Sequence, residues 1–234
     1  MPRFGRRQHE PGSGAPGSAG SEAAERAFAE ALDVARADLA AVADEVGVID
    51  VDVQSPTAPP RAGDHFDEAL RSFMLAGEQL ERAQRPADLV VVGGALERAR
   101  YELACARALL DGADPPARAA PCLFDPRHGS STAEVQWSPG RTGAGGTAGA
   151  GAGAGARGEA RPVPACTADT HRVAEGAPPD VRIVSLGGRP TPYWDVPVLY
   201  GPLLVGYYDR FGGAERLAGL LRGTPLGDAL AGDR

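Results

Sequence analysis

The chain contains no lysine: all 24 of its basic residues are arginine. That absence excludes lysine Schiff-base chemistry and the lysine-dependent phosphate loop. Aromatic residues make up only 6% of the chain, so aliphatic side chains and alanine must supply most of any core. Long apolar runs are missing too, and nothing approaches the roughly 18 residues a membrane-spanning helix needs. The longest candidate, Val196 to Val205, is interrupted by Pro197 and Pro202. The first twenty residues carry charge without an apolar segment, which is not the pattern of a secretory leader. The expectation is a cytoplasmic protein without a stable membrane span, its three cysteines kept reduced.

What is abundant is glycine and proline, 32 and 21 residues of 234, and much of this lies in tracts that cannot pack. Residues 1–20 read as a disordered tail, and the run from 139 to 160, almost all Gly, Ala and Thr at its centre, as a flexible insertion. Charge is unevenly spread. Residues 21–112 carry nine Arg against 18 acids, a surface that phosphate backbones would repel, so nucleic acid is excluded as a partner. A protein partner or self-association is favoured instead.

Three helical segments stand out in that acidic region. The first starts at Ser21 as N-cap, and Phe28, Leu32, Ala35, Leu39, Val42 and Val46 step by four and three, a heptad seam. Gly47 should end it, with residues 48–60 as loop. The second begins at Asp64 with a seam of Phe66, Leu70, Phe73, Gly77 and Leu80; its acids Asp64, Asp67, Glu68, Glu78 and Glu81 read as a solvated face. The third starts near Pro86-Ala87-Asp88, has its seam at Leu89, Val92, Leu96, Ala99, Leu103, Ala106 and Leu110, and is capped by Gly112. The glycine pair Gly93-Gly94 inside it predicts a kink or a delayed start. These patterns predict a mostly helical α+β fold: a three-helix antiparallel coiled-coil-like bundle over 21–112, followed by a small β-containing Cys/His module over 115–210. A C-terminal tail, 211–234, carries a short helix near Glu215–Arg222.

Within the second region, AEVQW (Ala133 to Trp137), the run from Arg161 to Cys166 and VRIVSL (Val181 to Leu186) read as strands, the last followed by a Gly187-Gly188 turn. Asp169 to Glu175 reads as a short helical stretch. Tyr193, Trp194, Tyr200, Tyr207 and Tyr208 gather four of the five tyrosines and are expected to form a second small core rather than a contact surface.

PCLFDPRHGSS, the later VPACTADTHRVAEGAPPDVR and the PYW at Tyr193 resemble an uncharacterised actinobacterial family. Its members pair a helical N-terminal region with CFF(D/N)PxHG, VPxCAxD and PYW segments. The run LERARYELACARALLDG resembles the helix preceding the first cysteine there. The similarity spans roughly residues 85–210, and the arginine-only, Ala/Gly/Pro-rich composition agrees with a GC-rich genome. The resemblance implies no activity. Here the Gly/Ala insertion is expanded, and the family position matching His171 is not consistently histidine.

The sharpest chemical constellation is Cys122-x5-His128 followed, 37 residues later, by Cys166-x4-His171. Zinc takes four thiolate or imidazole ligands in a tetrahedron, usually delivered as two close pairs on separate turns. Cys122, His128, Cys166 and His171 are therefore the candidate metal ligands. The plain alternative is that the cysteines are small buried hydrophobes and His128 orients a turn, with Asp125 as its hydrogen-bond partner. A third reading makes Cys122 a thiol nucleophile with His128 as base, though no third orienting group is evident. Cys105, beside the seam of the third helix, reads as packing. In order, the expectations are a non-enzymatic scaffold or protein-interaction protein with no catalytic residues and no cofactor; a small structural-zinc-binding module; and a thiol enzyme.

Overall fold

The computed structural model of the chain describes residues 18–138 and 159–232. The expected N-terminal tail up to residue 17 and the Gly/Ala insertion from 139 to 158 lie outside the described residues. The fold is mostly helical α+β. Its elements run α1 (Ser18–Val53), α2 (Pro60–Arg82), α3 (Leu89–Leu110), β1 (Ala133–Trp137), β2 (Arg161–Ala165), α4 (Thr167–Ala174), β3 (Ile183–Leu186), β4 (Arg189–Pro192), α5 (Pro197–Tyr208), α6 (Gly213–Leu220) and α7 (Pro225–Gly232). Among the described residues no helix is long and apolar enough to cross a membrane.

The central element is α3, packed against α2, α1 and α5. Its seam is placed as the heptad stepping predicts: Leu89, Val92, Leu96, Ala99, Leu103 and Ala106 are all buried. A helix surrounded on several sides needs more than one apolar stripe, and Gly93, Ala95 and Cys105 are buried as well. The glycine pair does not break α3. It lets α5 approach: a Cβ on Gly93 would run into the Leu203 carbonyl, and one on Gly206 into the Val90 carbonyl. The close approach makes α5 a fourth member of the bundle.

Three helix boundaries differ from the sequence reading. Ser21 is not the N-cap, because α1 is already helical at Ser18. Nor does Gly47 end the helix, which continues to Val53; burial of Ile49 one heptad beyond Val42 offsets the roughly 1 kcal/mol that a mid-helix glycine costs. Similarly α2 starts at Pro60, where the missing N–H costs nothing at a helix's first position. The most buried line on α1 is also rotated from the expected seam. It runs Ala31, Ala35, Asp38, Val42 and Ile49, with Phe28, Leu32, Leu39 and Val46 packed along its flank.

The second region folds onto this bundle. β1 and β2 pair antiparallel with Val135 opposite Val163. β3 and β4 form a hairpin whose turn uses Gly187 and Gly188, both at positive φ, as a two-residue turn requires. The tyrosines are buried as expected, but they do not form a separate core. Tyr193, Tyr200, Tyr207 and Tyr208 belong to one hydrophobic cluster continuous with the bundle. Edge and tilted ring contacts link Phe124, Trp137, Trp194, Tyr193 and Tyr200 with centroids 5.0–5.8 Å apart.

Candidate metal centre

The site begins with a segment that has little secondary structure but many anchors. Cys122 donates its N–H to the Gly129 carbonyl at 2.9 Å, and Leu123 donates to Pro164 of β2 at 2.8 Å. The hydroxyl of Tyr193 donates to the Leu123 carbonyl at 2.5 Å, and that of Tyr208 to the Pro121 carbonyl at 2.7 Å. The carbonyls on either side of Cys122 are thus pinned by two fully buried tyrosines. Further along, the Asp125 carboxylate accepts from the Arg127 N–H at 2.9 Å and caps a single turn over Pro126–His128. Gly129, at positive φ, lets the chain double back so that His128 returns beside Cys122.

The second half of the site is the β2–α4 junction. Cys166 is the N-cap of α4, and its sulfur accepts from the Asp169 N–H at 3.5 Å. Residues at the cap and three positions on share one face of a first turn, so Asp169 lies beside the Cys166 thiol. His171, two residues further, is exposed and is not part of the cluster. The expected ligand set is therefore brought together at Cys122, His128 and Cys166, while the fourth position belongs to Asp169.

Sulfur, nitrogen and oxygen atoms of these four residues all lie within 4.8 Å of one another. Asp169 Oδ2 is 3.2 Å from Cys122 Sγ, 3.3 Å from Cys166 Sγ and 3.1 Å from His128 Nδ1, and Cys166 Sγ is 3.7 Å from that nitrogen. With zinc bonds of 2.0–2.3 Å, the edges of a coordination tetrahedron are about 3.3–3.8 Å long. Four of the six edges of the cluster already have nearly those lengths. Around it stands a second ring of contacts: Asp169 Oδ1 accepts the Asp180 N–H at 2.7 Å, and His128 Nε2 faces the Asp180 carboxylate at 3.8 Å. Ligating histidines and carboxylates are commonly oriented in this way.

All three cysteines are free thiols. Burial pushes the Cys122 thiol far above its ordinary range, and burial also raises that of Cys166. This opposes thiol catalysis, which needs a depressed pKa and an accessible sulfur, whereas Cys122 is fully buried. It also fixes two signs of pH dependence. A protonated thiol is favoured by the metal-free fold, so its contribution to stability is complete below the unfolded thiol's pKa of about 8.5 and is lost as pH rises beyond it. The metal-free protein should therefore lose stability in alkaline solution, read as a falling denaturation midpoint between neutral pH and pH ~10. A metal bound by both thiolates would displace both protons, so its apparent affinity would rise about 100-fold per pH unit near neutrality. An indicator-dye titration should count two protons released per zinc.

Sequence reasoning passed over two groups. One is Asp169: the Cys166-x2-Asp169 spacing carried the signal, being the short spacing that paired ligands prefer. The other is the Asp38 network that holds the site against the bundle. Asp38 is fully buried; it accepts from Arg182 Nη2 at 2.6 Å and from the hydroxyls of Tyr200 and Tyr207 at 3.1 and 3.3 Å. Arg100 spans the same space, bonded to Glu45, to Tyr207 and to the Asp38 carbonyl. Arg182 in turn donates its N–H to the Phe124 carbonyl, two residues from Cys122. On the solvent side of His128 a cleft of about 320 Å³ opens, lined by Glu45, Arg100, Arg107 and Arg127.

No protein-family model, curated protein or solved structure matches the chain.

Proposed function

We propose that the protein binds one structural zinc ion through Cys122, His128, Cys166 and Asp169, and that this ion clamps the Cys122 segment and β1–β2 to α4. The observation that carries this reading is the convergence of four ligand atoms from two chain segments, all within 4.8 Å of one another. Two thiolates, an imidazole and a carboxylate are the donor set of borderline-soft zinc rather than of magnesium or calcium. Four protein ligands leave no open position, which is the mark of a structural rather than a catalytic centre. The role is thus stabilising, and the protein itself a non-enzymatic scaffold or interaction protein.

Support for the interaction reading comes from apolar side chains left at the surface: Val48 and Val51 on one face of α1, and Met74 and Leu75 on α2. Mass in solution above that of one chain would agree with self-association. A monomer would direct the search to a different partner.

The zinc reading is tested by native mass spectrometry of the full chain after zinc loading and removal of excess. In a chain carrying Cys105→Ser, whose only thiols are Cys122 and Cys166, a zinc adduct is expected, and the further change Cys166→Ser should lose it. Chelation should selectively blunt the near-ultraviolet circular dichroism of Trp137 and Trp194, which both lie within the module. Asp180→Ala removes an exposed carboxylate 3.8 Å from His128 Nε2 and should weaken zinc by no more than about 10-fold, the low end for an outer-shell partner. With Cys105→Ser in place, an adduct that survives loss of both Cys122 and Cys166 would overturn the assignment.

A further inference from the structure

A second group of unlike donors lies away from this centre, between α2 and α3. Glu102 and Cys105 are three residues apart on α3, so both project from one face of the helix. His65 meets them from α2, with its Nδ1 2.7 Å from Glu102 Oε2. The three ligand atoms, imidazole nitrogen, carboxylate oxygen and thiol sulfur, lie within 4.8 Å of one another. Facing helices that each contribute ligands, with two of them spaced i and i+3, are how helical bundles build metal sites.

Burial differs across the group in a way that matters. Cys105 is fully buried, while the His65 and Glu102 side chains retain 27% and 13% exposure. One side of the cluster is therefore closed and the other reaches solvent. A hydrogen bond joins His65 to Glu102, and the Cys105 thiol lies within 4.8 Å of both. With the thiol deprotonated, Cys105 and Glu102 contribute two negative charges and neutral His65 none, so a divalent ion makes the filled site neutral. Neutrality suits a half-buried position, where residual charge would be costly.

We propose that His65, Glu102 and Cys105 form a second metal site for zinc or a similar borderline-soft divalent ion, with its fourth position open to water or a small anion. The mixed N, O and S donors select against magnesium and calcium. Three protein ligands with one free position is the arrangement of exchangeable and catalytic zinc centres rather than structural ones. To reach the edges of a zinc tetrahedron, the His65–Glu102 separation would lengthen by about half an ångström, and Cys105 Sγ, within 4.8 Å of both, would sit about 3.5 Å from each. The site shares no residue with the Cys122 centre and does not depend on it.

Cobalt(II), which reports thiolate ligation through a near-ultraviolet charge-transfer band, is the probe. Titrated into the full chain, it should bind with two equivalents in the unaltered protein and one in Cys105→Ser. In a Cys122→Ser/Cys166→Ser chain one equivalent should remain, with a one-sulfur band that shifts when azide is added and disappears on the further change Cys105→Ser. Should that double variant fail to fold, the comparison of the unaltered chain with Cys105→Ser still decides. Equal stoichiometry in the two would overturn the second site. So would a single equivalent in the unaltered protein that is lost with Cys166→Ser; a single equivalent lost only with Cys105→Ser would uphold it while removing the first centre.

Discussion

Asp38→Ala is expected to destabilise the protein by about 3–5 kcal/mol, the cost of leaving buried charge without its partner. Arg182 loses its 2.6 Å carboxylate contact, and the hydroxyls of Tyr200 and Tyr207 lose their acceptor, all in the interior. Burial pushes the Asp38 carboxyl up, against the pull of the Arg182, Arg100 and Arg127 guanidiniums. The network is thus costly to assemble and more costly to break. Domains of ordinary stability have about 5–15 kcal/mol in total, so the variant should sit close to unfolding. Asp38→Asn keeps an acceptor for Arg182 and should cost less. Urea denaturation monitored by tryptophan fluorescence measures both. A loss below about 1 kcal/mol for Asp38→Ala would mean that the ion cluster does not join the bundle to the Cys122 segment.

The second large effect is expected at the α3–α5 crossing. Alanine for glycine inside a helix ordinarily gains about 1 kcal/mol, and Gly47→Ala on α1, where an added Cβ meets nothing within 4 Å, should show that gain. Gly206→Ala should reverse the sign and cost about 3 kcal/mol or more, at or beyond the usual range for overpacking. Its Cβ would collide with the Val90 carbonyl and the Gly94 N–H. These are backbone atoms with no rotamer to change, so only separation of the two helices relieves the clash. Gly93→Ala meets the Leu203 carbonyl from the other side and should behave alike. Thermal midpoints of the three variants, measured together, test the packing. If Gly206→Ala matches Gly47→Ala, the helices do not approach as described.

Much of this architecture was legible from side-chain periodicity, and where periodicity failed the reasons are physical. On α3 the apolar stepping and the burial coincide because that helix is surrounded. On α1 the deepest line contains Asp38, and an acid in a heptad pattern reads as a solvated face unless its arginine and tyrosine partners, which lie more than 60 residues away, are known. Helix α5 was hidden by Pro202 and by two glycines. Proline inside a helix forgoes one bond, and here the glycines exist for close packing rather than for turning. In the candidate metal site the two cysteines and His128 could be chosen from residue type and spacing. His171 could not be separated from Asp169, because the choice depends on which side of the first turn of α4 faces Cys122.

The central claim is tested most directly by zinc-edge X-ray absorption on zinc-loaded protein carrying Cys105→Ser, in which only the Cys122 centre can bind through sulfur. Two sulfur neighbours at about 2.3 Å and two nitrogen or oxygen neighbours at about 2.0–2.2 Å are the predicted shell. A shell made only of oxygen and nitrogen would contradict ligation by Cys122 and Cys166, and with it the assignment of a structural metal centre.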